Sequence, residues 1–246
     1  MTVEIFFEVH QGLPREAPGS DDDTRRAIGL LPAMTNPRIL DIGCGPGAQT
    51  LVLARQLGGE VTALDTYEPF LDVLRERARE SGLSDRITAV NRSMFEMDFE
   101  PYSFDLLWSE GAVYIYGLEK ALEDWSMLLH KGGCLGVTEA AWLQEDPPSE
   151  IAEFWEAAYP EMRHVDDIVT LIPAKGYDLL GHFVLPQTSW WETYYQPMTE
   201  RIGTLRKKYA GNQEAQGQLD EEQREIDLYR RFHKWYGYVF FVMQKA

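Results

Sequence analysis

Cysteine is scarce in this chain: Cys44 and Cys134 are the only two among 246 residues. Two cysteines so far apart supply neither a disulfide framework nor a thiolate metal site, so both are read as reduced packing residues of a reducing compartment. Histidine is little more common, with five dispersed residues and no H-x-x-x-H spacing, and no metal centre is expected. No run of about 18 apolar residues is available to span a bilayer. The Met1–Glu4 stretch lacks a basic region followed by an apolar core, so no secretory leader is expected and the expected location is the cytoplasm. Positive charge is also in deficit: 23 Lys and Arg stand against 40 Asp and Glu, a formal net charge of −17. Such a surface repels phosphate backbones, which argues against DNA, intact RNA and anionic membranes as partners.

What the chain does have is a core. Hydrophobic residues make up 44% and aromatics 12%, enough for one large folded domain over residues 1–246 and too much for global disorder. No internal repeat, low-complexity tract or interdomain linker interrupts it. The chain is organised around Ile39-Leu40-Asp41-Ile42-Gly43-Cys44-Gly45-Pro46-Gly47. A branched apolar run meets an acidic residue, enters a glycine-rich turn and continues into a helical pattern. Glycine lets a chain turn with positive φ and lets a ligand approach the backbone, and the first amides of the following helix face that ligand unpaired. Pro46 suits this place, where a missing N–H costs little.

A dinucleotide site calls for G-x-G-x-x-G; here the third glycine comes one residue early and Asp41 is extra. The pattern LDIGCGPG resembles motif I of the class I S-adenosylmethionine-dependent methyltransferases. It is most similar to their small-molecule branch, of the ubiquinone- and menaquinone-biosynthesis type. The resemblance covers about residues 38–140. It implies a glycine loop (Gly43, Cys44, Gly45, Gly47) beneath the methionine and ribose of S-adenosylmethionine, with Asp41 acting towards the ammonium end through water.

The rhythm of the chain agrees. Strands are expected at Arg38–Ile42, Val61–Leu64, Ile87–Val90, Phe104–Trp108 and Leu135–Thr138. Helices are expected at Gln49–Leu57, from Phe70 to Gly82, and from Ala121 through Leu129 up to Lys131-Gly132-Gly133. Alternation of this kind predicts a parallel sheet with right-handed crossovers. Before it, Ser20 is a helix cap for a short helix at Thr24–Leu31. For residues 1–37 the resemblance implies a segment that folds over the cofactor or substrate; packing on the sheet edge is the alternative. After Trp142 come a loop and cap at Asp146–Ser149, helices at Glu150–Ala158 and Val165–Ala174, and a strand at Asp178–Leu185. Helical stretches follow at Trp190–Gly211 and Glu214–Lys234, then a final strand at Tyr236–Gln244. The predicted fold is therefore α/β: a Rossmann-like, seven-stranded, mostly parallel sheet with helices on both faces. The resemblance implies a last strand inserted antiparallel between the fifth and sixth, after a helical cap. In segments, these are 1–37, a cofactor core at 38–142, substrate-side and cap elements at 143–234, and the final strand at 235–246.

Asp65 lies at the end of the second strand, where a carboxylate accepts hydrogen bonds from ribose hydroxyls; Thr66 and Tyr67 are expected beside it. Ser93 occupies the place where the family often has an Asp for the adenine amine, and Met94 fits as a polarizable cover for the adenine face. The resemblance implies that the place of Glu110, after the fourth strand, meets both cofactor and acceptor. Transfer of an activated methyl rests largely on alignment, with a base needed only when the acceptor must lose a proton. Glu110 and His10 are the first candidates for that role; Glu139, His164 and His182 are others, His182 more in keeping with packing. Tyr114 and Tyr116 are expected at the mouth. Trp142, Trp155, Trp190, Trp191, Tyr194 and Tyr195 either line an acceptor pocket or pack the cap. The expected activity is methyl transfer to a small molecule by in-line displacement, with a C, N or O acceptor left open and a slight tilt to neutral or cationic compounds. An NAD-dependent oxidoreductase and a non-catalytic S-adenosylmethionine-binding protein are the alternatives. The charged helix at 214–234 serves as a lid or as a homodimer contact.

Overall fold

The computed structural model describes residues 3–246; Met1 and Thr2, part of the stretch read above for a leader, lie outside the described residues. Two helices, α1 (Val3–His10) and α2 (Asp21–Ile28), precede the sheet. The Ser20 side chain accepts the Asp23 amide, and Asp21, Asp22 and Asp23 fill the first turn, where carboxylates suit the helix dipole. That cap starts α2 three residues before the expected Thr24, and the helix closes at Ile28.

The core then alternates: β1 (Arg38–Ile42), α3 (Ala48–Leu57), β2 (Glu60–Asp65), α4 (Glu68–Glu80), β3 (Ile87–Asn91) and β4 (Phe104–Ser109). Two short helices follow, α5 (Val113–Tyr116) and α6 (Leu118–Asp124), then a 3₁₀ turn over Trp125–Leu128 and the long strand β5 (Leu129–Trp142). The helix expected to run through Leu129 ends at Asp124 instead. Leu129 pairs with Phe104, and a bulge separates that pair from Leu106–Cys134, so Lys131-Gly132-Gly133 lies inside the strand, with Gly132 at φ +78°. A bulge lets a strand absorb such a glycine without ending.

The rest comprises α7 (Ser149–Ala158), the two-residue strand β6 (Arg163–His164), α8 (Val165–Ala174) and β7 (Tyr177–Val184). Then come α9 (Gln187–Trp190), a π-helical turn (Trp191–Tyr195), α10 (Gln196–Lys208), α11 (Gln213–Phe232) and β8 (Tyr236–Lys245). The expected single helix over Trp190–Gly211 is thus broken by the π turn and ends at Lys208.

The strand order is β3-β2-β1-β4-β5-β8-β7, with β6 paired to β5 as an eighth strand. β1 to β5 are parallel, and β8 runs antiparallel between β5 and β7, as expected for the last strand. Both faces of the sheet are covered. Leu107, Leu135, Val137 and Phe241 pack towards α6 and α8; Ile39, Leu106, Trp108 and Phe240 pack towards α2 and α3. A separate aromatic core of Trp190, Tyr195, Tyr229 and Tyr236 joins α1, α10 and α11 into the cap. The chain leaves β1 towards β2 on one side and returns to β4 on the other, which opens a crevice at the carboxyl ends of β1 and β4, the usual place for a ligand in such sheets.

Candidate active site

A cavity of about 290 Å³ opens there. Its floor is the glycine loop: Gly43, Cys44, Gly45, Pro46 and Ala48, with the Gln49 side chain. All three loop glycines have positive φ, at +71°, +51° and +83°, for different reasons. At Gly43 a Cβ would come within 2.5 Å of the Ala112 Cβ and 3.6 Å of Met94 Cε, so a side chain would fill the cavity. Gly47 is not in the cavity wall. It lies beneath α3, where a Cβ would sit 2.2 Å from Leu74 Cδ1, and its role is packing rather than ligand contact.

Asp41 also lies below the wall. It is fully buried and accepts hydrogen bonds from the Thr50 hydroxyl at 2.5 Å and the Gln49 amide at 3.4 Å. Burial pushes its carboxyl up to about 7, against the pull of Thr50. It reaches the cavity only through Gln49, whose amide also donates to the Cys44 carbonyl at 3.2 Å. Asp65 is in the wall. Its two oxygens accept the Gly45 amide at 2.9 Å and the Tyr67 amide at 3.0 Å, which fixes the carboxylate while leaving each oxygen a further lone pair. Thr66 lines the cavity next to it, together with Phe70 and Phe6. Tyr67 turns away and stacks on Phe7 at 3.8 Å. Arg92, Ser93, Met94 and Phe95 make the next wall, and Glu110, Gly111, Ala112, Tyr114 and Ile115 close the circle from β4. Tyr116 lies outside the wall, stacked on Phe95.

The remaining wall comes from the N-terminal segment: Arg15, Glu16, Ala17 and Pro18. Both expectations for residues 1–37 are met: residues 15–18 fold over the cavity, while α2 and the turn after it pack on the sheet, with Arg26 3.9 Å over the Phe183 ring of the edge strand β7. The strap is held by charge. Arg15 and Glu110, with side chains only 6% and 5% exposed, pair at 2.9 Å, and the Glu110 carboxylate also accepts the Thr24 hydroxyl and the Trp108 indole N–H, each at 2.8 Å. Burial pushes the Glu110 carboxyl up while Arg15, Trp108 and Thr24 oppose that rise. Glu110 thus lines the cavity with its carboxylate already committed to three donors. Arg77 donates to the Pro14 and Pro46 carbonyls at 3.3 and 3.0 Å, tying strap to loop. At Gly111, φ is +69° and a Cβ would meet the Ala17 Cβ at 2.1 Å, so glycine there admits the strap.

His10 is buried behind the strap and bonds Glu16 at 3.0 Å; it touches the cavity through Glu16, whose second oxygen is buried with no partner. His164 lies 3.7 Å from Glu145 and His182 is exposed on β7, stacked on Phe241; neither is near the cavity. Trp190, Tyr194 and Tyr195 are packed in the cap. Sequence reasoning missed Arg15, Glu16 and the apolar contributors Phe6 and Phe70. None sits in a motif, and they reach the site by long-range folding of the strap and by one turn of α4.

The residues present fit a nucleoside with an amino-acid tail. An acid stands at the end of β2, Met94 and Phe95 offer an apolar slot, and a glycine cradle leaves no room for side chains. Among the described residues no group of three or more His, Cys, Asp or Glu could hold a metal, and no helix is long and apolar enough to cross a membrane.

Residues 39–133 match the family model described as a methyltransferase domain. Similar curated proteins include the methyltransferase GfsG of Streptomyces halstedii, 26% identical over 64% of this chain and 58% of its own. Another is the sterol 24-C-methyltransferase ERG6B of Gibberella zeae, 30% identical over 65% of this chain and 44% of its own. The chain spans about half the length of these curated relatives. A solved S-adenosylmethionine-dependent methyltransferase from Geobacter sulfurreducens, in complex with S-adenosyl-L-homocysteine, superposes with a TM-score of 0.86 at 20% identity, covering 99% of this chain and 98% of that one. Residues 39–133 are thus similar to a methyltransferase domain, and the chain carries the Rossmann-like fold of this solved neighbour.

Proposed function

We propose that the protein is an S-adenosylmethionine-dependent methyltransferase of a small-molecule acceptor. The observation that carries this reading is the wall itself: Asp65, fixed by the Gly45 and Tyr67 amides, stands beside the positive-φ glycines Gly43 and Gly45 in the wall of one cavity. Asp65 would hold the ribose hydroxyls, Met94 and Phe95 the adenine, with Ser93 at its edge, and the loop amides with Gln49 the methionine end. Bound there, S-adenosylmethionine supplies a methyl group already activated by its sulfonium. The chain's own part is then alignment and exclusion of water, and the Arg15–Glu110 pair does this by pinning the strap over the site. Glu110 is read as a positioning group, since its oxygens are engaged by Arg15, Thr24 and Trp108. Cys44 and Cys134 are free and buried, which supports the reducing, cytoplasmic setting that belongs to the same proposal.

Calorimetric titration with S-adenosylmethionine, S-adenosylhomocysteine and NAD tests it. The first two are expected to bind and to lose at least about tenfold in affinity in Asp65→Ala, the worth of one charge-assisted hydrogen bond. Binding of NAD alone would overturn the reading.

A further inference from the structure

Glu16, Asp65 and Glu110 bring carboxylates into the wall of the one cavity, and they differ in how far they are engaged. Glu110 is committed to Arg15, Thr24 and Trp108. Asp65 holds the Gly45 and Tyr67 amides. Glu16 is the least engaged. Its Oε2 meets His10 Nδ1 at 3.0 Å, and its Oε1 is buried with no hydrogen-bond partner. Arg77 is among the charges that face Glu16, but its guanidinium donates to the Pro14 and Pro46 carbonyls instead. The strap thus carries an unused acceptor to the cavity.

Its place is set from two sides. In front, Glu16 Cγ lies 3.3 Å and its Cβ 3.7 Å from where a Gly45 side chain would begin, so the strap settles onto the loop because Gly45 has none. The Gly45 amide in turn holds Asp65 Oδ2 at 2.9 Å, and both carboxylates therefore stand against one glycine. Behind, His10 is 3% exposed and stacks on Phe6 at 4.2 Å, so the ring that holds Oε2 is itself fixed. Burial pushes the Glu16 carboxyl up, His10 opposes that rise, and the charge of Asp65 adds to it. Neighbouring carboxylates disfavour each other's charge, and a buried acceptor without a donor is costly. A ligand that donates hydrogen bonds to both relieves both.

We infer that Glu16 is a second carboxylate for the ribose of the bound nucleoside, sharing the 2′,3′-diol with Asp65 and accepting one of its two hydroxyls at Oε1. A vicinal diol offers two O–H donors and no charge, the donor set that two neighbouring carboxylates with free lone pairs can take. A hydroxyl that donates to a carboxylate makes a charge-assisted bond. His10 is then a positioning residue that acts through Glu16. The inference rests on the methyltransferase reading above and adds to its cofactor site a residue from outside the sheet.

The test is calorimetric titration of the parent, Glu16→Leu and Glu16→Gln with S-adenosylhomocysteine and with its 2′-deoxy and 3′-deoxy analogues. Glu16→Leu is expected to weaken S-adenosylhomocysteine about tenfold, the worth of one charge-assisted hydrogen bond. For the one analogue that lacks the hydroxyl held by Glu16, the same variant is expected to change affinity by no more than about twofold, which also shows that it is folded. Glu16→Gln keeps an oxygen acceptor without the charge; it is expected to show the same ligand dependence at a smaller loss, and it carries the test where Glu16→Leu binds nothing. Unchanged affinity for S-adenosylhomocysteine in Glu16→Leu, or a loss of equal size for all three ligands in both variants, as a displaced strap would give, overturns the inference alone. Failure of the parent to bind S-adenosylhomocysteine is seen before any variant is made and overturns the methyltransferase reading together with it.

Discussion

Removing the Glu110 side chain should loosen the strap from the cavity, and the cost can be worked from its partners. Glu110→Ala leaves the Arg15 guanidinium buried with Asp21 as its remaining carboxylate partner, at 2.9 Å but with a side chain 48% exposed. It also strips the fully buried Trp108 indole N–H of its acceptor, while the Thr24 hydroxyl keeps the Ser20 carbonyl at 3.2 Å. Breaking a buried ion pair by removing one partner costs about 3–5 kcal/mol. The orphaned indole taken singly would cost about 1–3 kcal/mol, but the two losses share one site and do not add. The expected destabilisation is therefore about 3–5 kcal/mol, towards the lower end because Asp21 persists. Taking both charges away is different. Arg15→Met/Glu110→Leu leaves no uncompensated charge, and its cost should be well below the sum of the two single changes. Urea denaturation of the four proteins in this cycle gives the coupling directly. Because Arg15, Glu16, Ala17 and Pro18 form one wall of the cavity, Glu110→Ala should also weaken S-adenosylhomocysteine at least about tenfold, or ~1.4 kcal/mol. A single-variant loss under about 1 kcal/mol, strict additivity in the double variant, or unchanged cofactor affinity would refute the strap argument.

Two further changes probe parts of the site that lie outside the wall. Gly47→Ala should destabilise by about 2–5 kcal/mol, combining left-handed backbone strain with overpacking on Leu74. A second change, Leu74→Ala, should recover part of the loss, so that the pair costs less than the sum; equal additivity by chemical denaturation would show that Leu74 is not the obstacle. Glu139 has an ordinary value of 4.5 but is pushed up to about 8 in the folded protein. Between those values the folded state holds the extra proton, so stability falls as pH rises, by at most about 1.4 kcal/mol per pH unit, and levels off above. Asp41 and Glu222 contribute the same sign but stop near 7. The denaturation midpoint of Glu139→Gln should accordingly fall less than that of the parent between about pH 7 and 8, and an equally steep fall would remove Glu139 from the account.

How much of this was legible in the chain depends on whether the signal was local. β1, the glycine loop and α3 declare themselves through periodicity and positive-φ glycines, and Asp65 follows from its place at a strand end. β8 between β5 and β7 was available only through the family resemblance, and the pairing of Cys134 with Gln244 through Trp142 with Tyr236 bears it out. Failures came where tertiary contacts overrode local pattern. Leu129 carries on the apolar spacing of α6, yet the sheet claims it by pairing it with Phe104. The helical pattern from Trp190 breaks into a π turn where Tyr195 must bond Glu225 of α11. Gly47 reads like its loop neighbours, but only the fold shows that it serves Leu74. Arg15 and Glu110 are 95 residues apart, and nothing in either neighbourhood announces the other.

The acceptor side differs from the cofactor side for a related reason. A nucleoside cofactor is the same molecule wherever it binds, so its contacts collapse into one compact segment that a single chain can display. An acceptor is particular to each enzyme, and no one compact segment need display its contacts. A lone glutamate in an amphipathic helix such as α11 gives no sign of facing inwards. Glu222 shares its face with Leu219, Ile226 and Tyr229, the pattern of a helix packed by its apolar stripe. A carboxylate on that stripe is a local inconsistency of the sort that function tends to leave behind. Glu222, 7% exposed, and Glu225, which accepts the Tyr195 hydroxyl, thus mark the place in the cap where apolar packing alone does not account for the sequence.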